Sequence, residues 1–415
     1  MKFSEGLDLV GSAHAGGRTI VATDDLLRWR SRFPILGRSV YLVNNSLGAM
    51  PDTVREGLAT YADLWSSEGV VAWNSWLPLV RETGDLIGEI IGAPPGSVMM
   101  HQNVSTLVSI VASCFEYSGE RRKVVYADTE FHTMHYFWQS QDRIGAEVHY
   151  IPTDTQLQAP IERLIDAIDD QTLIVPISHV LFRSSELIDV AAVVQKAHSV
   201  GALVLLDSYQ ATGVVPFNVT DLDVDFVVGG SVKWLCGGPG AGYLYVRPDL
   251  IDKLTPRECG WFSHARPFAF DMGEMEYADG IDRFMGGTPG IPALYAAREG
   301  YKIIREVGVD RIREKSRRQT RHLIDRAGDL GFTVNTPRDD AHRGGHVTID
   351  FDGAEAVSQE LIRRRFIIDY RPGAGIRVSP HFYNSDAECD ALLDEIVTIR
   401  GRARSPALAW SGPQF

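Results

Sequence analysis

A layered α/β fold, with a mainly parallel sheet held between helices and a smaller α+β domain after it, is predicted by three observations. From about residue 98, short β-rich runs alternate with longer helical patterns, and strands so spaced need crossover connections between parallel neighbours. After Gly290 the chain changes to long, charged helical stretches. Its 415 residues, 44% of them apolar, suffice for two domains and a large core.

Taken in order, VMM opens the series and a helix follows near Ser105 to Glu116. VVYA is next, then a helix near His132 to Gln141, then VHYI, LIVPIS, ALVLLD and DFVVGG. The last of these places a buried strand at Asp225 through Gly229, because continuous apolar runs suit a sheet covered on both faces. Beyond Gly290, helices are expected around Ala293 to Glu306 and Asp310 to Ala327, then the run GHVTIDF and a final helix near Glu388 to Ile399. The organisation expected is an N-terminal segment 1–44 packing on the small domain, a large domain 45–290 and a small domain 291–415. Pro34 and Pro51 punctuate the entry to the large domain, and there is no internal repeat.

A formal charge of -13 argues against a general nucleic-acid or membrane-surface role, since both need basic patches. Arg363 to Arg365 read as a solvated face. Cys114, Cys236, Cys259 and Cys389 lack metal-ligand spacing, so neither a disulfide framework nor a zinc site is expected, and a reducing cytoplasm fits. The start MKFSEGLDLVGSAHAGG lacks a basic stretch followed by an apolar one, and no run reaches the roughly eighteen apolar residues of a span.

The chemistry centres on Lys233, in DFVVGGSVKWLCGGPGAGYLYV, where a lysine follows an apolar strand at the edge where open parallel sheets place ligands. Partial desolvation there releases its proton more readily. A lone loop lysine is usually just solvated, but this one has company. Asp207 ends ALVLLD at another strand's carboxyl end, where it can face a pyridinium nitrogen or merely cap a turn. Gln210 is placed to donate to a phenolic oxygen. Asn103, Val104 and Ser105 stand at a predicted helix start, where free amides favour a phosphate. Phe131 follows VVYAD and can stack on a flat ring or fill the core. Arg377 offers a fork of donors for a substrate carboxylate, or a surface ion pair. An amine for an aldehyde, an anion for a ring nitrogen and donors for a phosphate are together what pyridoxal phosphate requires.

Rival chemistries lack support. His132 and His135, with Asp128 and Glu130, do not form a recognised ligand spacing, so no metal is expected. There is no G-x-S-x-G elbow. GGPGAG follows the lysine instead of leading a helix that carries one, so it is not a P-loop.

From about residue 40 to the end the chain resembles the class V branch of the fold-type-I pyridoxal phosphate enzymes. The block SHVLFRSSELIDVAAVVQKAHSVGALVLLDSYQATGVVPFNVTDLDVDFVVGGSVKWLCGGPGAGYLYVR carries most of the likeness. The resemblance implies that Lys233 is the Schiff-base lysine, Asp207 the pyridinium partner and Phe131 the stacking residue. It places Asn103 and Val104 in the phosphate turn, with Ser231 as the hydroxyl just before the lysine. Thr288, in GGTPG, would reach the neighbouring subunit's phosphate, implying a homodimer with shared active sites. Arg377 would bind the substrate's α-carboxylate. Within the branch, YLVNNSLGAMP, HVLFRSS and GWFSH with FDMGEMEYADGIDRFMGGT are similar to the kynureninases, which cleave a carbon-carbon bond by hydrolysis to release alanine. That likeness adds Asn45 and Ser46 to the substrate site and Trp261 to the cofactor site.

Three positions depart from the kynureninase pattern: Val232 replaces a tyrosine before the lysine, Gln210 a histidine and Met134 an aspartate. The scaffold is retained while groups suited to proton transfer are lost. The expected activity is therefore a kynureninase-like hydrolase or a close relative. The alternative is another class V reaction on an amino acid: β-elimination, transamination, decarboxylation or epimerisation. A cysteine desulfurase is disfavoured, because no cysteine lies between Asp340 and Ile376. A silent binding protein is disfavoured by Lys233, Asp207 and Arg377 occurring together.

Overall fold

The structure, a computed structural model, describes residues 24–403. Most of the expected N-terminal segment, residues 1–23, lies outside the described residues. The strands are β1 (Val40–Tyr41), β2 (Val98–His101), β3 (Lys123–Ala127), β4 (Glu147–Ile151), β5 (Thr172–Ser178), β6 (Leu203–Asp207), β7 (Phe226–Gly230) and β8 (Gly242–Val246). The later ones are β9 (Thr333–Val334), β10 (Val347–Asp350), β11 (Phe366–Ile367), β12 (Asp369–Arg371) and β13 (Gly375–Val378).

Seven strands form the main sheet in the order β2-β8-β7-β6-β5-β3-β4. From β7 to β4 the neighbours are parallel, whereas β8 runs antiparallel to both β7 and β2. The reversal at β8 departs from an all-parallel series and has a local cause: the short connection 231–241 cannot hold a crossover helix, so the chain returns beside β7. Because β2 and β7 both oppose β8, their carboxyl ends share one edge with those of β6, β5 and β3. Strands β6, β7 and β8 are almost wholly buried, as their unbroken apolar sequences require.

A second antiparallel sheet, β12-β13-β10-β9, packs with the helices Val309–Asp329, Ala354–Arg363 and Asp386–Ala403 around its own apolar cluster, which includes Leu323, Ile349, Ile376 and Leu392. The residues before the main sheet reach this region. Arg30 grips Glu388, Lys315 pairs with Asp24 at 2.7 Å, and β1 lies parallel to β11. No described helix is long and apolar enough to cross a membrane. Trp138 is completely buried and Trp76 nearly so, which makes both packing residues.

Candidate active site

Side chains from five strand ends gather at one edge of the main sheet. Asn103 follows β2, Phe131 follows β3, Ser178 ends β5, Asp207 ends β6 and Lys233 follows β7. The lysine is held out by a tight turn, in which Cys236 N donates to Lys233 O at 3.0 Å and Gly237 N to Ser231 O at 2.8 Å. A second loop clamps it, through Gly48 N to Val232 O at 2.8 Å. A side chain at Gly48 would put its Cβ 2.1 Å from the Lys233 carbonyl oxygen, so only glycine allows this approach.

Lys233 Nζ lies over two aromatic faces, 4.3 Å from the Tyr209 centroid and 5.7 Å from that of Phe131. Burial pulls its pKa down to about 7; Asp207 opposes that shift, while Arg377 and Arg371 reinforce it. The amine is thus much closer to its neutral, nucleophilic form than an exposed lysine. Burial raises the pKa of Asp207, against the Tyr209 amide and the Lys233 charge. Its Oδ1 accepts from Tyr209 N at 2.9 Å, so it caps a turn, and Oδ2 has no partner among the described residues. Asn103 caps the helix Val104–Ser113 through Thr106 N at 3.0 Å, while the Val104 and Ser105 amides have no backbone partner among the described residues. Free helix-start amides, an unpaired amine and an unpaired carboxylate oxygen form a donor set that fits pyridoxal phosphate.

The other expected residues are placed less simply. Gln210 Nε2 donates to Asn45 O at 3.0 Å and its Oε1 accepts from Trp234, so both ends of the amide are engaged. Ser231 is fully buried, its hydroxyl bonded to Ala241 O at 2.6 Å and to the Tyr301 hydroxyl; it faces the core, not the cleft. Trp261 is exposed and stacks on Phe270, and Thr288 is exposed two residues past Gly286, which backs onto His101.

Asn45, Ser46 and Arg377 do come together, but around a residue the sequence did not single out. The register of β12 with β13 sets Asp369 opposite Arg377. The guanidinium is 2% exposed and forks onto that carboxylate, with Nε to Oδ1 at 2.8 Å. It also donates to Ser46 Oγ at 2.9 Å and Phe182 O at 2.7 Å, and Asn45, with its amide turned to donate to Ser379, accepts from Nε at 3.0 Å. The arginine expected to clamp a substrate is therefore saturated by its own protein. Arg371 shares Asp369 at 3.1 Å and is more exposed, and Arg183 has an unpartnered Nε in the same electrostatic neighbourhood.

Sequence reasoning also missed Tyr209, and it met Glu130 only as a rejected metal ligand. Glu130 is buried, which raises its pKa to about 8, and it accepts from Ser178 Oγ at 2.5 Å. Its position directly before Phe131 was the available signal. Among the described residues no group of side chains could hold a metal ion.

Residues 40–392 match the family model "Aminotransferase class-V". A kynureninase of Pseudomonas fluorescens is 31% identical over 363 residues, covering 84% of this chain and 86% of that protein. A kynureninase of Bacillus cereus is 29% identical over 382 residues, covering 88% and 89%. An uncharacterized aminotransferase, YcbU, of Bacillus subtilis is likewise 29% identical, covering 89% and 96%. In fold, an apo cysteine desulfurase of Thermococcus onnurineus superposes with a TM-score of 0.79 at 20% identity, covering 90% of this chain and 98% of that one. With the family model spanning most of its length, the chain belongs to the class V aminotransferase family, as a kynureninase-like member, and is an enzyme whose cofactor is pyridoxal 5'-phosphate.

Proposed function

We propose that this enzyme cleaves a carbon-carbon bond of an amino acid by hydrolysis, as the proteins named kynureninase do by their name, on kynurenine or a close analogue. The observation that carries the reading is the unpaired Lys233 amine beside the free oxygen of Asp207, in a chain similar to those proteins over most of its length. Bound there, pyridoxal phosphate supplies an electrophilic aldehyde and a ring that accepts electrons. Lys233 would hold the aldehyde carbon, Asp207 the ring nitrogen, Phe131 one ring face, Gln210 the phenolic oxygen, and Asn103 with Val104 the phosphate. With its pKa near 7, the Lys233 amine would be available to take a proton from the substrate's Cα at neutral pH. Asn45, Ser46 and Arg377 would bind the substrate's carboxylate end. Trp261 as a cofactor-site residue, a homodimer in which Thr288 reaches the neighbouring subunit's phosphate, and a cytoplasmic setting belong to the same reading.

A second reading, another class V reaction on an amino acid, draws on three positions. Val232 offers only its carbonyl, which accepts from Gly48; Gln210 is held at both ends; Met134 is fully buried. None of them can move a proton. Incubation with kynurenine and 3-hydroxykynurenine separates the two: alanine with an anthranilate-type product supports hydrolysis, and absence of both transfers the assignment to the second reading.

A further inference from the structure

We infer that Tyr209 is the proton donor of this site, taking over from the tyrosine that Val232 displaces. The inference rests on the hydrolytic reading and supplies the group that reading lacks.

Three phenols lie near one another at the end of β7: Tyr209 bears on the ionisation of both Tyr243 and Tyr301, and Tyr243 on that of Tyr301. Two of them are structural. Tyr243 is fully buried and bonds Ser208 at 2.9 Å and Thr212 at 2.6 Å, and Tyr301 is fully buried against Ser231. Tyr209 differs: it is only half-buried, and its hydroxyl has no hydrogen-bond partner among the described residues. Its ring face meets Lys233 Nζ at 4.3 Å, and its backbone amide is fixed by Asp207 at 2.9 Å. One residue thus meets both groups the chemistry uses, Lys233 through its ring face and Asp207 through its backbone amide.

Gly230, the last residue of β7, makes room for it. A Cβ there would fall 2.5 Å from the Tyr209 hydroxyl oxygen, so the oxygen passes directly over the backbone three residues before the lysine. Burial, and then the Asp207 charge, raise the phenol's pKa to about 12, which keeps it protonated at neutral pH as a donor must be. The other candidate acid, Glu130, is engaged with the Ser178 hydroxyl at the end of β5 and is buried. In the step assigned to Tyr209, the O–H bond breaks and its proton passes to the substrate carbon freed by cleavage. The electron pair stays on the phenolic oxygen, which is reprotonated from water, while the hydrolytic water's oxygen leaves in the acid product.

Tyr209→Phe keeps the ring under the lysine and removes only the hydroxyl. Alanine release from kynurenine should fall about 10²-fold to 10⁴-fold with KM little changed. The visible absorbance of bound cofactor, and the pH midpoint for chemical modification of the Lys233 amine in the apoprotein, should match the parent and so report intact folding. In deuterium oxide, exchange at Cα of L-alanine should persist in the variant while exchange at its methyl carbon is lost. Gly230→Ala, which pushes the phenol aside, should show the same split. Turnover within about threefold of the parent would overturn the inference, as would parallel loss of both exchanges, or a parent enzyme that exchanges neither position. A parent that exchanges both positions but releases no alanine from kynurenine removes the hydrolytic reading and leaves Tyr209 in place.

Discussion

The two ends of the site are built on opposite plans. At the sheet edge the functional atoms are left open: among the described residues the Lys233 amine, one oxygen of Asp207 and the Val104 and Ser105 amides have no hydrogen-bond partner. At the β12–β13 hairpin the atoms are satisfied in advance, with Arg377 forked onto Asp369 and braced by Ser46, Asn45 and Phe182. A charge costs most where it is buried without a counter-charge. The fold leaves open groups whose neutral forms are accessible, Lys233 with its pKa near 7 and Asp207 with its pKa raised. It pairs the guanidinium, which cannot shed its proton. The cofactor end thus stores reactivity, whereas the carboxylate end stores order, and a substrate anion must share or displace Asp369 to reach Arg377.

The sharpest break falls at Lys233. Lys233→Ala should abolish the visible absorbance of the bound cofactor and reduce turnover by at least about 10⁴-fold, the upper range for loss of an acid-base group, with both read on the same sample. A variant that keeps the absorbance band would refute the assignment of this lysine. At the other end, Asp369→Ala leaves Arg377 buried without its anion, so denaturant unfolding should show a loss of about 3–5 kcal/mol. That stabilisation is also pH-dependent. Burial alone would raise the pKa of Asp369, but the Arg377 bond and charge, with the Arg371 charge and the Ser46 bond, together outweigh it and the net shift is downward. The contribution is complete above the unfolded carboxylate's pKa and is lost as pH falls through the lower folded one.

Those two ends also differ in how far the sequence revealed them. Strand ends, glycines and a helix start are local signals, and Lys233, Asp207, Asn103 and Phe131 could each be placed from their own surroundings. Asp369 could not, since its meaning comes from a strand register that sets it across from Arg377 eight residues later. Tyr209 was hidden for a similar reason: its use depends on Gly230 lying under its hydroxyl, a contact between the turn that follows β6 and the end of the neighbouring parallel strand β7. Ser231 shows the reverse error, because its place near the lysine was legible while its orientation, toward Tyr301 in the core, was not. The antiparallel return of β8 followed from the length of one connection, a weaker signal than the alternation preceding it.

A smaller effect tests the coupling within the open end. Asp207 favours the charged form of Lys233, so Asp207→Asn should move the apoprotein's amine titration, followed by pH-dependent chemical modification, below the midpoint near 7. An upward movement would mean the two groups are not coupled as the geometry indicates. Since the unfolded chain holds one more proton between about 7 and 10.5, the Lys233 contribution to apoprotein stability should increase as pH rises through that window.

The smallest change separates two duties of a single side chain. Asn103 caps its helix through Thr106 N, and the same turn presents the amides assigned to the cofactor's phosphate. Asparagine and aspartate cap about equally well, so Asn103→Asp should leave unfolding free energy within a few tenths of a kcal/mol, whereas Asn103→Ala should cost about 1 kcal/mol. The two substitutions should rank the other way in cofactor affinity. Aspartate brings a negative charge to the place where a phosphate must sit, while alanine keeps the backbone amides available without one. Equilibrium titration of apoprotein with cofactor should therefore show weaker binding for the aspartate variant than for the alanine variant, despite its greater stability. If affinity follows stability instead, the turn is only a helix cap and the phosphate is held elsewhere along the sheet edge.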